Sequence, residues 1–226
     1  MRRPVDSGRR LVFQTVTVTK MVYRGIFAAL AVSAVLSNPV SAADKDGDFA
    51  IRGVGRISCA ELLDALDKKD KQRLTLFGTW LEGYISATNQ LSDNTFDITP
   101  WQTTELLLAL LGRACAQDSE KNFMAVVGRL IAEMRPLRLV EQSQVVKLQT
   151  ASTVQVQYRE IVERVRRRLT DLGYEFTTSS VLGEKSLIEL REQVLAYQKA
   201  SKLPPTGDLD QHTLLNLFVV PEKAEE

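Results

Sequence analysis

Between residues 161 and 218 the apolar residues fall into three short helical stripes separated by chain breakers, which confines this stretch to a small three-helix bundle. Ile161, Val165, Leu169 and Leu172 recur at three- and four-residue steps, the spacing of one buried helix face. Gly173 follows, where a helix end favours a residue tolerant of left-handed backbone. Leu187, Leu190, Val194 and Tyr197 give a second stripe. Pro204, Pro205 and Gly207 then break the chain, and Asp210 is placed to cap a third helix buried through Leu214, Leu217 and Phe218.

The residues around these stripes carry a motif. The first helix closes on Leu172-Gly-Tyr174, the second on Tyr197-Gln198, and the turn reads Leu203-Pro-Pro-Thr-Gly-Asp-Leu-Asp-Gln-His-Thr213. This resembles the small three-helix peptidoglycan-binding domain found beside many cell-wall enzymes, with its Leu-Gly-Tyr, aromatic-Gln pair and Leu-Pro-x-Thr-Gly-x-Leu-Asp-x-x-Thr. The resemblance implies peptidoglycan as the ligand. Tyr174, Tyr197 and Gln198 are the candidate contacts, because an aromatic face beside an amide suits sugar and peptide. One stretch departs from the family: residues 176–185 stand where Asp-Gly-x-Phe-Gly-x-x-Thr is usual.

Residues 26–36 form an apolar run of eleven, broken by Asn38-Pro39 and followed by Val40-Ser-Ala42. That is the pattern of a cleavable secretory signal over residues 1–42, too short to span a bilayer. Met21-Val-Tyr-Arg24 would make an ordinary charged lead by itself, so Met21 is a candidate natural start. The expected mature chain is periplasmic, with no transmembrane helix. Cleavage removes six basic residues and one acid, turning the formal charge of +1 mildly negative. Such a chain has no polybasic field for nucleic acid.

Cys59 and Cys115 are the two cysteines. An even pair in an oxidising compartment reads first as a disulfide, the alternative being two separate buried thiols. The pair sits in a segment of four helical stripes over residues 55–138. Ser58-Cys-Ala-Glu61 reads as a capping box ahead of Leu62, Leu63 and Leu66. Leu74, Phe77, Leu81, Tyr84 and Thr88 mark a second helix. Thr99 with Pro100 and Gln102 reads as the start of a third. Phe123, Val126, Val127, Leu130, Ile131 and Met134 trace a fourth, ending near Pro136.

Over residues 55–135 this segment resembles the HdeA/HdeB family of small periplasmic acid-stress chaperones. The carriers are Ser58-Cys59, Trp80-Leu-Glu-Gly-Tyr-Ile85, Ile98-Thr-Pro100 and Ala114-Cys-Ala-Gln-Asp118 leading to Asn122-Phe123. Membership would imply one disulfide, a helical core, dimerisation in some members and binding of unfolded periplasmic clients. Leu106-Leu-Leu-Ala-Leu-Leu111 is apolar all round, which leaves two readings: a central helix packed on every side, or a homodimer seam.

Residues 139–158 read either as an extended linker or as a β-hairpin, with Val145, Val146 and Leu148 facing Val154, Val156 and Tyr158. Residues 43–54 read as a flexible mature N-terminus, 159–220 as the peptidoglycan-binding-like domain and 221–226 as a tail. The expected fold is mainly α: a disulfide-bridged four-helix domain plus a small three-helix domain.

No catalytic residue is expected. His212, the one histidine, occupies a motif position that the family leaves free, and the paired carboxylates Glu61/Asp64 and Asp208/Asp210 suit caps and solvated faces. No metal or cofactor is expected either. Asp44-Lys-Asp-Gly-Asp48 begins like a calcium loop but places Phe49 and Gly55 where Gly and Glu are required. Gly53-Val-Gly55 lacks the rest of a dinucleotide motif. The functional expectation is a non-enzymatic wall-binding protein whose helical domain is an adaptor or client-binding unit. The alternatives are an accessory of a separate wall hydrolase and an acid-stress chaperone.

Overall fold

A computed structural model of the protein describes residues 44–149, 154–178 and 183–219. The signal over residues 1–42, the candidate start at Met21, the hairpin turn and the tail at 221–226 lie outside the described residues. Residues 44–48 form a local turn in which the Asp44 carboxylate accepts from the N–H groups of Asp46 and Asp48.

The first four helices are α1 (Cys59–Asp67), α2 (Lys71–Leu91), α3 (Thr104–Cys115) and α4 (Phe123–Met134). Their stripes meet in one core built on Leu62, Phe77, Leu81, Leu111, Phe123 and Val127. Phe77 meets Phe123 edge-on at 4.9 Å. Cys59 opens α1, Cys115 closes α3, and the two are bonded with Cα atoms 5.1 Å apart, both fully buried. The 3-10 turn Gly53–Arg56 also belongs to this core rather than to a free N-terminus. Trp80 donates its indole N–H to the Arg52 carbonyl at 2.8 Å and lies over Gly55. A Cβ on Gly55 would come within 2.2 Å of Trp80 Cζ2, so only glycine fits beneath the ring.

Two helix starts differ from expectation. Ser58 is the N-cap of α1, but its side chain makes no cap bond. Lys121 and Ser119 carbonyls instead accept from the Cys59 and Ala60 N–H groups, while Glu61 pairs with Arg73. Helix α3 begins at Thr104 with Thr103 as its cap, not Thr99. Trp101 is buried in the second core, and Gln102 accepts the Trp101 N–H instead of completing a box.

The hairpin alternative is the one that forms. Strands β1 (Val145–Gln149) and β2 (Val154–Tyr158) pair antiparallel with Val146 opposite Gln157 and Leu148 opposite Gln155. Leu148 is buried and Val146 packs beside it, while Val145, Val154 and Val156 stay exposed on the other face. A lone hairpin is marginal in water, so this burial is what holds it. Strand β2 runs directly into α5 (Arg159–Asp171), followed by α6 (Glu184–Ala200) and α7 (Gln211–Phe218). Helix α5 has no local side-chain cap; the Gln144 carbonyl and the Ser143 hydroxyl accept its first N–H groups.

The second core is not confined to residues 159–220. Ile161, Val165, Leu169, Val194 and Leu214 form its centre, but Trp101, Leu106 and Leu139 enter from the helical half. Leu107, Leu108 and Leu111 of α3 face the first core, and Leu106 packs against the second. Accordingly the described residues from Ala50 onward pack as one unit. Among the described residues, no helix is long and apolar enough to cross a membrane.

Candidate functional site

Gln198 sits at the end of α6 with no exposed surface, and the Thr-Gly-x-Leu-Asp-x-x-Thr turn is wrapped around it. Its Oε1 accepts from the Gly207 N–H at 2.7 Å. Its Nε2 donates to Thr213 Oγ1 at 2.9 Å and to the Asp208 carbonyl at 3.0 Å, with Thr206 Oγ1 at 3.1 Å. Asp210 caps α7 by accepting from the Thr213 N–H at 2.8 Å. Gly207 has φ +73°, and a Cβ there would lie 2.9 Å from Arg191 Cγ, so the tight turn demands glycine on both counts. The motif thus works as a polar lock in which one buried amide closes the turn between α6 and α7.

This corrects the expected role of two residues. Gln198 turns inward with its amide occupied, so no ligand reaches it in this conformation. Tyr197 is only 7 % exposed, and its hydroxyl donates to Asn216 Oδ1 at 2.5 Å. Both are structural. Tyr174 is half-buried, meets Tyr197 edge-on at 6.1 Å, and has its phenol pKa raised by burial. It is the one of the three with ring surface left for a ligand.

In the stretch that departs from the family, Glu189 of α6 gathers the chain. Its carboxylate accepts from the Thr178 hydroxyl at 2.5 Å, the Thr177 hydroxyl at 2.8 Å and both backbone N–H groups. Arg166 stacks on Phe176 at 4.2 Å and donates to the Thr178 carbonyl. Hydrogen bonds to the charged form, led by the Thr178 hydroxyl, lower the Glu189 pKa to about 2. Glu189 and Arg166 therefore form a charged strap over residues 176–178.

A set of glutamines at the junction, none of them a candidate from sequence, ties the halves together. Gln211 donates Nε2 to the Trp101 carbonyl at 2.6 Å and accepts from the Thr103 N–H at 2.8 Å, which clamps α7 to the loop before α3. Gln155 Oε1 accepts from the Leu209 N–H at 3.0 Å. The signal was present in Val154-Gln-Val-Gln-Tyr158, whose period of two puts Gln155 and Gln157 on one strand face. Arg164 adds a second tie by donating to the Leu137 and Arg138 carbonyls at 2.5 and 3.0 Å.

The Glu61/Asp64 pair noted in sequence is engaged structurally. Arg73 holds Glu61 at 2.6 Å and Asp64 at 2.5 Å, and hydrogen bonds from Lys68 and then Arg73 keep the Asp64 pKa low. His212 lies exposed on α7, and both cysteines are bonded.

Residues 158–217 match a family described as "Putative peptidoglycan binding domain". That span begins at the last residue of β2 and covers α5, α6 and most of α7. The comparisons give no support to the HdeA/HdeB resemblance of residues 55–135. No curated protein and no solved structure matches the chain.

Proposed function

We propose that the chain is an exported, non-enzymatic protein of the periplasm that attaches to peptidoglycan through residues 158–217. The observation that carries the reading is the family match over a segment in which Gln198 holds the Thr206–Thr213 turn closed. A turn locked in this way presents a pre-formed surface, and pre-formed surfaces bind without paying to order themselves.

The helical half supplies a rigid mount. Trp101, Leu106 and Leu139 are shared with the second core, and Gln211 and Arg164 tie the backbones together. Whatever the helical half engages is thereby held at a fixed position relative to the wall, as an adaptor requires.

Tyr174 is the aromatic contact we assign to the wall ligand, since Tyr197 and Gln198 are interior. Retention of the full chain on purified sacculi is the test. A Tyr174→Ala change should weaken retention about fivefold or more while leaving the fold intact, as loss of one ligand-facing ring does. Retention unaffected by this change would remove Tyr174 from the site.

A further inference from the structure

The inner face of the hairpin, the Leu209–Gln211 turn and the loop before α3 enclose a cleft of about 270 Å³. Pairing places Gln155 opposite Leu148 and Gln157 opposite Val146, so both amides stand on this inner face two residues apart. Each is oriented by a backbone donor. Gln155 Oε1 accepts from Leu209, and Gln157 Oε1 accepts from the Tyr158 N–H at 3.0 Å. With the carbonyl ends engaged, both Nε2 groups are left without partners among the described residues. The Thr103 hydroxyl accepts from the Leu106 N–H at 3.3 Å and keeps its own proton to donate.

The cleft therefore offers oriented N–H and O–H donors over an apolar floor of Leu148 and Leu209, and no charged side chain lines it. A carboxylate moved into such a site would lose hydration without gaining a counter-charge. A neutral ligand rich in acceptors suits it. In peptidoglycan the free carboxylates belong to the peptides, whereas the glycan strand presents acetamido carbonyls, ring oxygens and hydroxyls. The volume is near the lower end of the roughly 300–1,000 Å³ of small-molecule sites, which fits one sugar unit better than several.

We propose that this cleft binds one N-acetylhexosamine unit of the glycan strand, with the Gln155 and Gln157 amides and the Thr103 hydroxyl donating to its acetamido carbonyl and neighbouring oxygens. The proposal rests on the wall-binding reading and extends it. Most of the cleft comes from residues before the matched segment, so the helical half and the hairpin are parts of the glycan site.

The experiment is a titration of the full chain, isotopically labelled at nitrogen, with the N-acetylglucosamine tetramer and with cellotetraose, which lacks acetamido groups. The side-chain amide signals of Gln155 and Gln157 should shift saturably with the acetylated tetramer alone. This measurement uses the unsubstituted chain and does not depend on how a variant folds. Gln157→Leu should weaken binding about five- to tenfold, as loss of one hydrogen bond does, while Lys147→Gln on the opposite hairpin face should not. Binding that leaves both amide signals unmoved overturns the cleft assignment. So does absence of tetramer binding in a protein that is retained on sacculi, an outcome that leaves the wall reading standing. Absence of both overturns the two together.

Discussion

The Gln211 side chain grips the backbone beside Trp101 from both ends of its amide, donating to the Trp101 carbonyl at 2.6 Å and accepting from the Thr103 N–H at 2.8 Å. One residue of α7 thereby joins the helical half to the C-terminal module across more than a hundred positions of sequence. Because Trp101 also packs against Phe218 at 5.9 Å, the polar clamp and the apolar contact reinforce each other.

Gln211→Ala should therefore lower stability by about 1–3 kcal/mol, two hydrogen bonds being lost and two backbone groups left to find water. Urea denaturation followed by tryptophan fluorescence and by circular dichroism should still give one coincident transition. Two separated transitions in the unsubstituted chain would contradict the shared core.

Gln198→Ala should cost more, about 2–4 kcal/mol. It leaves the Gly207 N–H and the Thr213 hydroxyl buried without their partner and opens a cavity at a site with no exposed surface. Backbone signals of residues 203–214 should report the loosened turn. A variant as stable as the parent would contradict the lock.

These glutamines mark where sequence reading stopped. The stripes of α4, α5 and α7 were legible because a 3.6-residue apolar period has one sensible buried face, and all six apolar positions foreseen for α4 are interior. Gly173 was legible because φ +87° at a helix end suits glycine. The direction of an amide is different. Gln198 stands beside an aromatic at a helix end, and nothing local says whether it faces ligand or turn. Nor does one sequence say which of two cores will take Trp101, and with Trp101 buried in the second the cap of α3 is Thr103 rather than Thr99. Ser58 stands at a helix start in sequence and in structure, yet its cap bonds were taken by carbonyls some sixty residues away.

Acid should release the strap over α6. The Glu189 pKa is lowered from 4.5 to about 2, so its bonds to Thr177 and Thr178 contribute fully above pH 4.5 and are lost as pH falls toward 2. Glu189→Gln should be less stable than the parent at pH 6, and the gap should narrow between pH 4.5 and 2. Asp64 and Glu160 also titrate low, so the difference between parent and variant is the quantity to follow. A gap that is constant across this range would contradict the strap.

The Cys59–Cys115 bond ties the start of α1 to the end of α3 across 56 residues. Replacing both cysteines by alanine should cost about 4 kcal/mol on the chain-entropy account. Alkylation of the native protein without reduction, followed by mass spectrometry, should find neither thiol free. Two labelled thiols in protein from its native compartment would contradict the bond.

Attachment to the wall is most directly measured by cosedimentation of the full chain with purified sacculi over a range of protein concentrations. The intact chain is the right material, because cutting between the halves would strip Trp101, Leu106 and Leu139 from the second core. The account predicts a saturable isotherm that is unchanged by an inert polysaccharide and competed by soluble wall fragments. Protein that stays in the supernatant at every concentration, while folded by circular dichroism, would contradict it.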